Sequence, residues 1–350
     1  MKSWDTIIAG AGIIGVSLAL ELQTRGAQVL VLESGEPGRE ASSAAAGMLA
    51  PSDPETHLVL RPLVAESARL FPEYVRKLEA ATQIQVDFRR LGTIAFMEES
   101  SAQQGYKNLS PNDLQRLEPS LQNPGHSAFF VQEDSVDPRL LMLAALAAAC
   151  KAGIDIRSHH KVTSMRPCAS GVEVVTQEGS FITRSAVDCR GAWSGTPVKP
   201  RKGQMLYVQP KTGILQHVLR APEVYIVPRG TGKILVGATV EDVGYDKSVN
   251  PSAIQTLLNA AAGYLPELAS APITQSWAGL RPGTPDDLPI IGPTETPGLF
   301  VASGHFRNGI LLAPVTAQIM ADLLQDRPAP LDISAFSPTR FSRQPASNRH

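Results

Sequence analysis

Three glycines in six residues, Gly10-Ala-Gly-Ile-Ile-Gly15, stand between a short apolar run and a stretch of helical apolar spacing. No other feature limits the fold as strongly. Residues 6–9 read as a central parallel strand covered on both faces. Gly10 permits a sharp turn, Gly12 lets a diphosphate approach the backbone without meeting a Cβ, and Gly15 lets the next helix pack closely on the strands. Ile13, Ile14, Leu18 and Leu22 then recur at helical spacing, with Gly26 at the helix end. Residues 27–32 read as a second strand, and Glu33 follows Gly15 by 18 residues, close to the spacing of an acid that accepts from adenosine ribose hydroxyls. The helix would aim its amides and dipole at the phosphates. A carboxylate at Glu33 would repel a 2'-phosphate, which disfavours NADP. Glycines serving packing alone would not need strand, helix, strand and acid in register.

At 350 residues the chain is long for one core and is expected to divide in two. With 32 basic and 33 acidic residues its net charge is -1, so no global field draws nucleic acid or an anionic membrane, and neither is an expected partner. No apolar run reaches membrane-spanning length and no leader precedes the glycine turn, so a cytoplasmic location is expected. Cys150, Cys168 and Cys189 are odd in number and lack CxxC spacing. They read as bystander thiols, and no metal site is expected.

Local patterns set further expectations. Residues 58–82 have helical spacing, with Leu63, Leu70, Tyr74, Leu78 and Ala81 facing inward. Residues 86–97 read as a pair of strands, with Arg89 and Arg90 at a solvated edge. Asp137 should cap a helix over 138–151, and a ladder of short strands should follow within 154–184. Strands over 224–227 and 234–240 form a hairpin that puts Glu223, Tyr225 and Val227 on one face. Helices are expected over 252–264 and 315–324, and a frayed polar tail over 337–350.

The small-residue stretch 41–47 permits close approach to a bulky ligand, and Ser42 and Ser43 could donate to phosphate or ribose; the plainer reading is an alanine-rich helix start. Together Gly10-Ala-Gly-Ile-Ile-Gly15, Glu33 and Ala41-Ser-Ser-Ala-Ala-Ala-Gly-Met-Leu-Ala-Pro51 resemble the N-terminal region of the D-amino-acid oxidase superfamily, most closely the glycine oxidases of thiamine biosynthesis. Two later segments match the same pattern nearly residue for residue and are far more specific. One is Ser276-Trp-Ala-Gly-Leu-Arg281 running on to Gly292, the other Gly304-His-Phe-Arg307-Asn-Gly309-Ile running on to Pro314.

The resemblance implies an α/β fold in which a Rossmann-like FAD-binding domain (1–50, 138–198 and 280–340) is combined with a substrate domain on an antiparallel sheet (51–137 and 199–279), followed by a polar tail (341–350). It implies FAD held non-covalently, since no cysteine follows Cys189 to attach it. The cofactor residues carried over are Gly10, Gly12, Ile13, Ile14, Gly15 and Glu33, then Ser42, Ser43, Ala46, Gly47 and Met48. Gly191 and Trp193 join them, with Gly304, Arg307, Asn308, Gly309 and Ile310 from the C-terminal motif. Arg281 matches a clamp for the substrate carboxylate, Tyr225 a hydroxyl that assists it, and Arg307 an arginine near the flavin's polar edge.

The implied reaction is oxidative deamination of glycine, sarcosine or small D-amino acids. A neutral amine gives its α-hydride to flavin N5, the imino acid hydrolyses to 2-oxo acid and ammonia, and oxygen becomes hydrogen peroxide. No catalytic histidine is required, and His305 is given no proton role. The chain departs from the family pattern at Arg190, Glu223 and Val240. Expected partners are a small amino acid or amine and molecular oxygen, with homo-oligomer formation an open alternative. Two other readings stay open: a flavin-dependent dehydrogenase that uses a quinone or carrier, and a non-catalytic nucleotide-binding or metabolite-sensing protein.

Overall fold

The computed structural model describes residues 3–342 except 103, 124 and 196. Its first sheet grows outward from Trp4–Ala9, which runs parallel to Val29–Leu32 on one side and to Ser180–Asp188 on the other. Asp155–Arg157 extends one edge and Leu299–Ser303 the other, both in parallel, and Ile290–Pro293 is added antiparallel. Side chains alternate across this sheet. Ile8, Val29 and Val31 enter a core shared with the helices Ile13–Thr24, Arg61–Thr82, Pro138–Lys151 and Gly309–Leu324. Ile7, Ala9, Leu30 and Leu32 pack on the opposite face against Val162, Val172 and Val174 of an antiparallel extension. Both faces are covered, which is why the strands read as unbroken apolar runs.

The second sheet runs in the order Ile273–Gly283, Lys199–Val208, Ile234–Gly237, Tyr225–Pro228, Val218–Arg220, Thr93–Met97, Ser127–Val131, Lys107–Asn108. Its pairings are antiparallel apart from Val218–Arg220 with Thr93–Met97. Leu206, Val208, Ile226 and Val236 lie beneath the helix Pro251–Tyr264. Met205, Tyr207, Val227 and Leu235 point the other way, toward Ala44 and Ala46. Residues of this second face line a cavity.

Several local expectations need correction. In Arg61–Thr82 the inward stripe is Leu63, Ser67, Phe71, Val75 and Leu78; Leu70 and Tyr74 are partly buried and Ala81 is exposed. A polar residue hides the stripe from a hydrophobicity pattern, because the Ser67 hydroxyl donates to the Leu311 carbonyl inside the core. Of the two strands expected over 86–97 only Thr93–Met97 forms. Asp87 takes a positive φ of 53°, and the preceding chain turns there. Arg89 pairs with Asp87 and Arg90 with Asp134.

The strand expected over 234–240 stops at Gly237. The closing helix starts at Gly309, with Pro314 inside it, where the sequence suggested a start just after that proline. The tail is ordered through Pro338–Phe341, where Arg340 Nε donates to Asp286 Oδ2 at 2.8 Å; residues 343–350 lie outside the described residues. Helix Arg61–Thr82, which the expected division assigns to the substrate unit, packs in the core of the first sheet. No helix among the described residues is long and apolar enough to cross a membrane.

Candidate active site

The glycine turn is pressed between backbone groups. Gly10 has φ +106°, and a Cβ on it would lie 2.5 Å from the Cys189 carbonyl oxygen, while a Cβ on Gly15 would fall onto the Gly10 carbonyl. Gly12 sits at the start of the first helix with no side-chain cap bond. The one neighbour its Cβ would meet is Ser42 Oγ at 3.1 Å, which accepts from the Ile13 N–H at 2.9 Å. Glu33 folds back toward the turn. Its Oε2 accepts from the Ala11 N–H at 2.8 Å, and its Oε1 from the Gly35 N–H and the Ser34 hydroxyl, each at 3.0 Å.

These groups border a cavity of 840 Å³ that reaches from Glu33 and Gly35 to Tyr225 and Arg281. One wall is the segment 42–48, whose carbonyls are held from three other parts of the chain. Arg139 Nε donates to Ser43 O at 3.4 Å, Trp277 Nε1 to Ala44 O at 3.1 Å, and Arg229 Nη2 to Ala46 O at 2.6 Å. Arg229 is buried and also donates to Val136 O at 3.1 Å. The Arg139 guanidinium lies 4.5 Å from the Trp277 ring centre, a cation–π contact. Gly279 brings the second sheet against this wall, since a Cβ there would meet Ala44 Cβ at 2.5 Å.

At the far end, Arg281 Nη1 donates to the Thr239 carbonyl at 3.2 Å, and among the described residues it forms no ion pair. Tyr225 Oη faces Met205 Sδ at 3.4 Å. Burial pushes the phenol above its ordinary pKa, opposed chiefly by the charge of Arg281. Two strand glycines make room for these groups. A Cβ on Gly203 would lie 2.6 Å from Arg281 Cζ, and one on Gly237 would lie 2.6 Å from the Tyr225 ring.

Of the residues expected in the site, Gly10, Gly12, Ile13, Ile14, Glu33 and Ser42 line the cavity, as do Ala46, Gly47, Met48, Gly191 and Trp193. So do Arg307, Asn308, Gly309, Ile310, Tyr225 and Arg281. Three others do not. Gly15 serves helix-on-strand packing, the Ser43 hydroxyl turns back to the Gly38 carbonyl, and Gly304 (φ +72°) leaves room for Thr284 Cγ2, which a Cβ there would meet at 2.6 Å. Arg307 sits half-exposed at the rim, ion-paired with Glu55. His305 is buried with Nε2 beside Thr316 Oγ1 at 3.1 Å, and burial lowers its pKa from 6.5 to about 3.

The departures from the family pattern also have places. Arg190 folds onto Asp188 in a fork, with Nε to Oδ1 at 3.0 Å and Nη2 to Oδ2 at 2.7 Å, and Ser194 shares that carboxylate. Glu223 and Val240 are exposed at the cavity margin. Arg220, Arg229, Gly203 and Gly237 have no role in the sequence reading. Glycine at a period-two position of an apolar strand was the available signal for the last two. Arg229 lies within a turn signal, where burial of a charge is not expected. Among the described residues no group of three His, Cys, Asp or Glu side chains is placed to hold a metal.

The family model for FAD-dependent oxidoreductases matches residues 5–323. The bifunctional protein ThiO/ThiG of Trichormus variabilis is 36% identical over 97% of this chain and 55% of its own length. The chain thus spans about half the length of that relative. Glycine oxidase of Geobacillus kaustophilus is 33% identical, with 96% of this chain and 97% of that one covered. The crystal structure of glycine oxidase from Geobacillus kaustophilus superposes with a TM-score of 0.93 at 32% identity, covering 97% and 99% of the two chains. The residues present fit FAD. The cavity is long, a Cβ-free Gly12 and the start of the first helix, whose Ile13 amide is taken by Ser42 Oγ, face it near one end, and the Glu33 carboxylate borders the same end.

Proposed function

Because the chain belongs to the FAD-dependent oxidoreductase family, we propose that it oxidises glycine and other small amines or D-amino acids to the imino acid, which water converts to 2-oxo acid and ammonia. The observation that carries this reading is the far end of the cavity, where an arginine with no acidic partner among the described residues stands beside a partly buried tyrosine. When bound, FAD supplies the hydride acceptor, and its reoxidation by oxygen yields hydrogen peroxide. The chain's own residues bind and orient. Arg281 receives the substrate carboxylate in two parallel hydrogen bonds. Tyr225, kept protonated by burial, donates a third.

At the other end, Glu33 takes the ribose hydroxyls and the start of the first helix takes the diphosphate. His305, uncharged across the physiological range, is given no part in proton transfer. In this reading residues 1–50, 138–198 and 280–340 hold the cofactor, apart from Arg281, which reaches the substrate, and 51–137 and 199–279 serve the substrate, apart from the helix Arg61–Thr82 in the core of the first sheet. Likeness to glycine oxidases along nearly the whole chain supports the substrate class.

The test begins with the visible spectrum of the purified protein, which should show a flavin that glycine bleaches without oxygen. Under air, peroxide should accumulate in step with glycine consumed. Bleaching and dye reduction without peroxide would make the protein a dehydrogenase. A flavin that no small amino acid bleaches would make it a non-catalytic binder.

A further inference from the structure

The cavity face of the second sheet carries another arginine. Arg220 lies directly opposite Tyr225 in the antiparallel pair of Val218–Arg220 with Tyr225–Pro228, so both side chains leave the sheet on one face. Arg220 lines the same cavity as Arg281, and the sheet order puts the two arginines on opposite sides of Tyr225. A small carboxylate entering here lies in a cavity lined by two guanidinium groups, and a guanidinium free of other acids takes a carboxylate as a bidentate pair. Two working clamps would hold a small amino acid in two directions. Only one of them presents the α-carbon correctly.

Glu133 acts on this choice. Its side chain is 1% exposed and its Oε2 accepts from Arg220 Nη1 at 3.1 Å, while Oε1 has no hydrogen-bond partner. Asp53 lies 3.8 Å from the same Nη1, and Arg220 Nη2 donates to the Tyr106 hydroxyl. A buried ion pair with an orphaned oxygen is a poor device for stability, since well-packed apolar residues of similar volume do as well or better. It is an effective device for neutralising an arginine. Arg307 is paired with Glu55 at the exposed rim, where solvent screens the pair. Of the arginines at this end of the cavity, Arg281 alone keeps its charge uncompensated by an acid among the described residues.

We infer that Glu133 is a positioning residue that silences Arg220, so that the substrate carboxylate has one clamp and the substrate one direction. The inference rests on the reading of Arg281 above. Burial pushes the Glu133 carboxyl up to about 7, so measurements at about pH 8 keep it ionised.

The experiment titrates acetate into the FAD-loaded protein by isothermal calorimetry. The natural protein should bind one acetate. Glu133→Gln should gain a second site, and Glu133→Gln/Arg220→Met should lose it again. With glycine as substrate, Glu133→Gln should lower kcat and KM by the same factor, about threefold or more, leaving kcat/KM unchanged, because the added mode is non-productive. Absence of a second site, or a fall in kcat/KM at constant KM, overturns the inference. Should Glu133→Gln fail to hold FAD, the apolar pair Glu133→Met/Arg220→Met decides. Its acetate Kd should stay within about twofold of the natural protein, and a Kd about tenfold weaker would mean that Arg220 was binding all along. Failure of the Arg281 reading shows separately, as acetate binding that survives Arg281→Met.

Discussion

A side chain at residue 203 and the guanidinium of Arg281 claim the same space: a Cβ on Gly203 would lie 2.6 Å from both Cζ and Nη2 of Arg281. The two residues stand on adjacent antiparallel strands, Gly203 opposite Gly279 and Arg281 opposite Arg201. Gly203→Ala should therefore displace the clamp without touching the cofactor wall. Steady-state kinetics with glycine should show KM raised about tenfold or more at unchanged FAD content. Arg281→Ala, which removes two charge-assisted hydrogen bonds of about 1.5–3 kcal/mol each, should raise KM by about a hundredfold or more. An unchanged KM in both variants would place the carboxylate elsewhere.

Glu33 binds the glycine turn to the end of the second strand through the Ala11 and Gly35 amides. Glu33→Ala removes that link and the acceptor proposed for the ribose hydroxyls. Fluorescence titration of the apoprotein should show FAD affinity about tenfold to a hundredfold weaker, with Glu33→Gln in between. Equal affinity in all three proteins would remove Glu33 from cofactor binding.

Arg229 joins the Ala46 and Val136 carbonyls with two nitrogens of one planar group. A lysine keeps the charge and loses the fork. Arg229→Lys should cost about 2–4 kcal/mol through unpaired buried carbonyls. Thermal unfolding followed by flavin release should register a lower midpoint. A midpoint equal to that of the natural protein would show that the segment 42–48 is held by other contacts.

His305 should make stability depend on pH. Above its ordinary pKa of 6.5, folded and unfolded chains both carry a neutral ring, so this residue adds no pH dependence. Below it the unfolded chain takes up a proton that the buried ring refuses until about pH 3. Stability therefore falls as pH falls through this window, by about 1.4 kcal/mol per unit. Urea midpoints at about pH 7 and pH 5 should differ less in His305→Gln than in the natural protein. Equal differences would mean that the ring is protonated in the fold.

Most of the geometry around the glycine turn was legible in the sequence, because there local pattern and tertiary packing coincide. Gly10, Gly12 and Gly15 each have a local signature, and Asp137 caps its helix as read, with its side chain accepting from the Arg139 and Leu140 amides. The substrate side was less legible, because its devices are agreements between distant positions. Gly203 matters only through Arg281 on another strand, Gly237 only through Tyr225, and Glu133 only through Arg220. The inward stripe of Arg61–Thr82 failed for a similar reason, since Ser67 is inside by virtue of a carbonyl 244 residues away.

The order of strands in the first sheet has a temporal consequence. Trp4–Ala9 is translated well before its neighbour Ser180–Asp188, which is itself flanked by Leu299–Ser303, and the helix Gly309–Leu324 packs in the same core as the first helix. At about 5–20 residues per second, a ribosome needs roughly 15–60 s to pass from the glycine turn to that last helix. Until Cys189 is made the glycine turn lacks the backbone that packs on it, and until the end of the interval the cavity lacks its wall from residues 302–310. Capture of the nucleotide therefore waits for the last helix, because residues as late as Ile310 line its cavity.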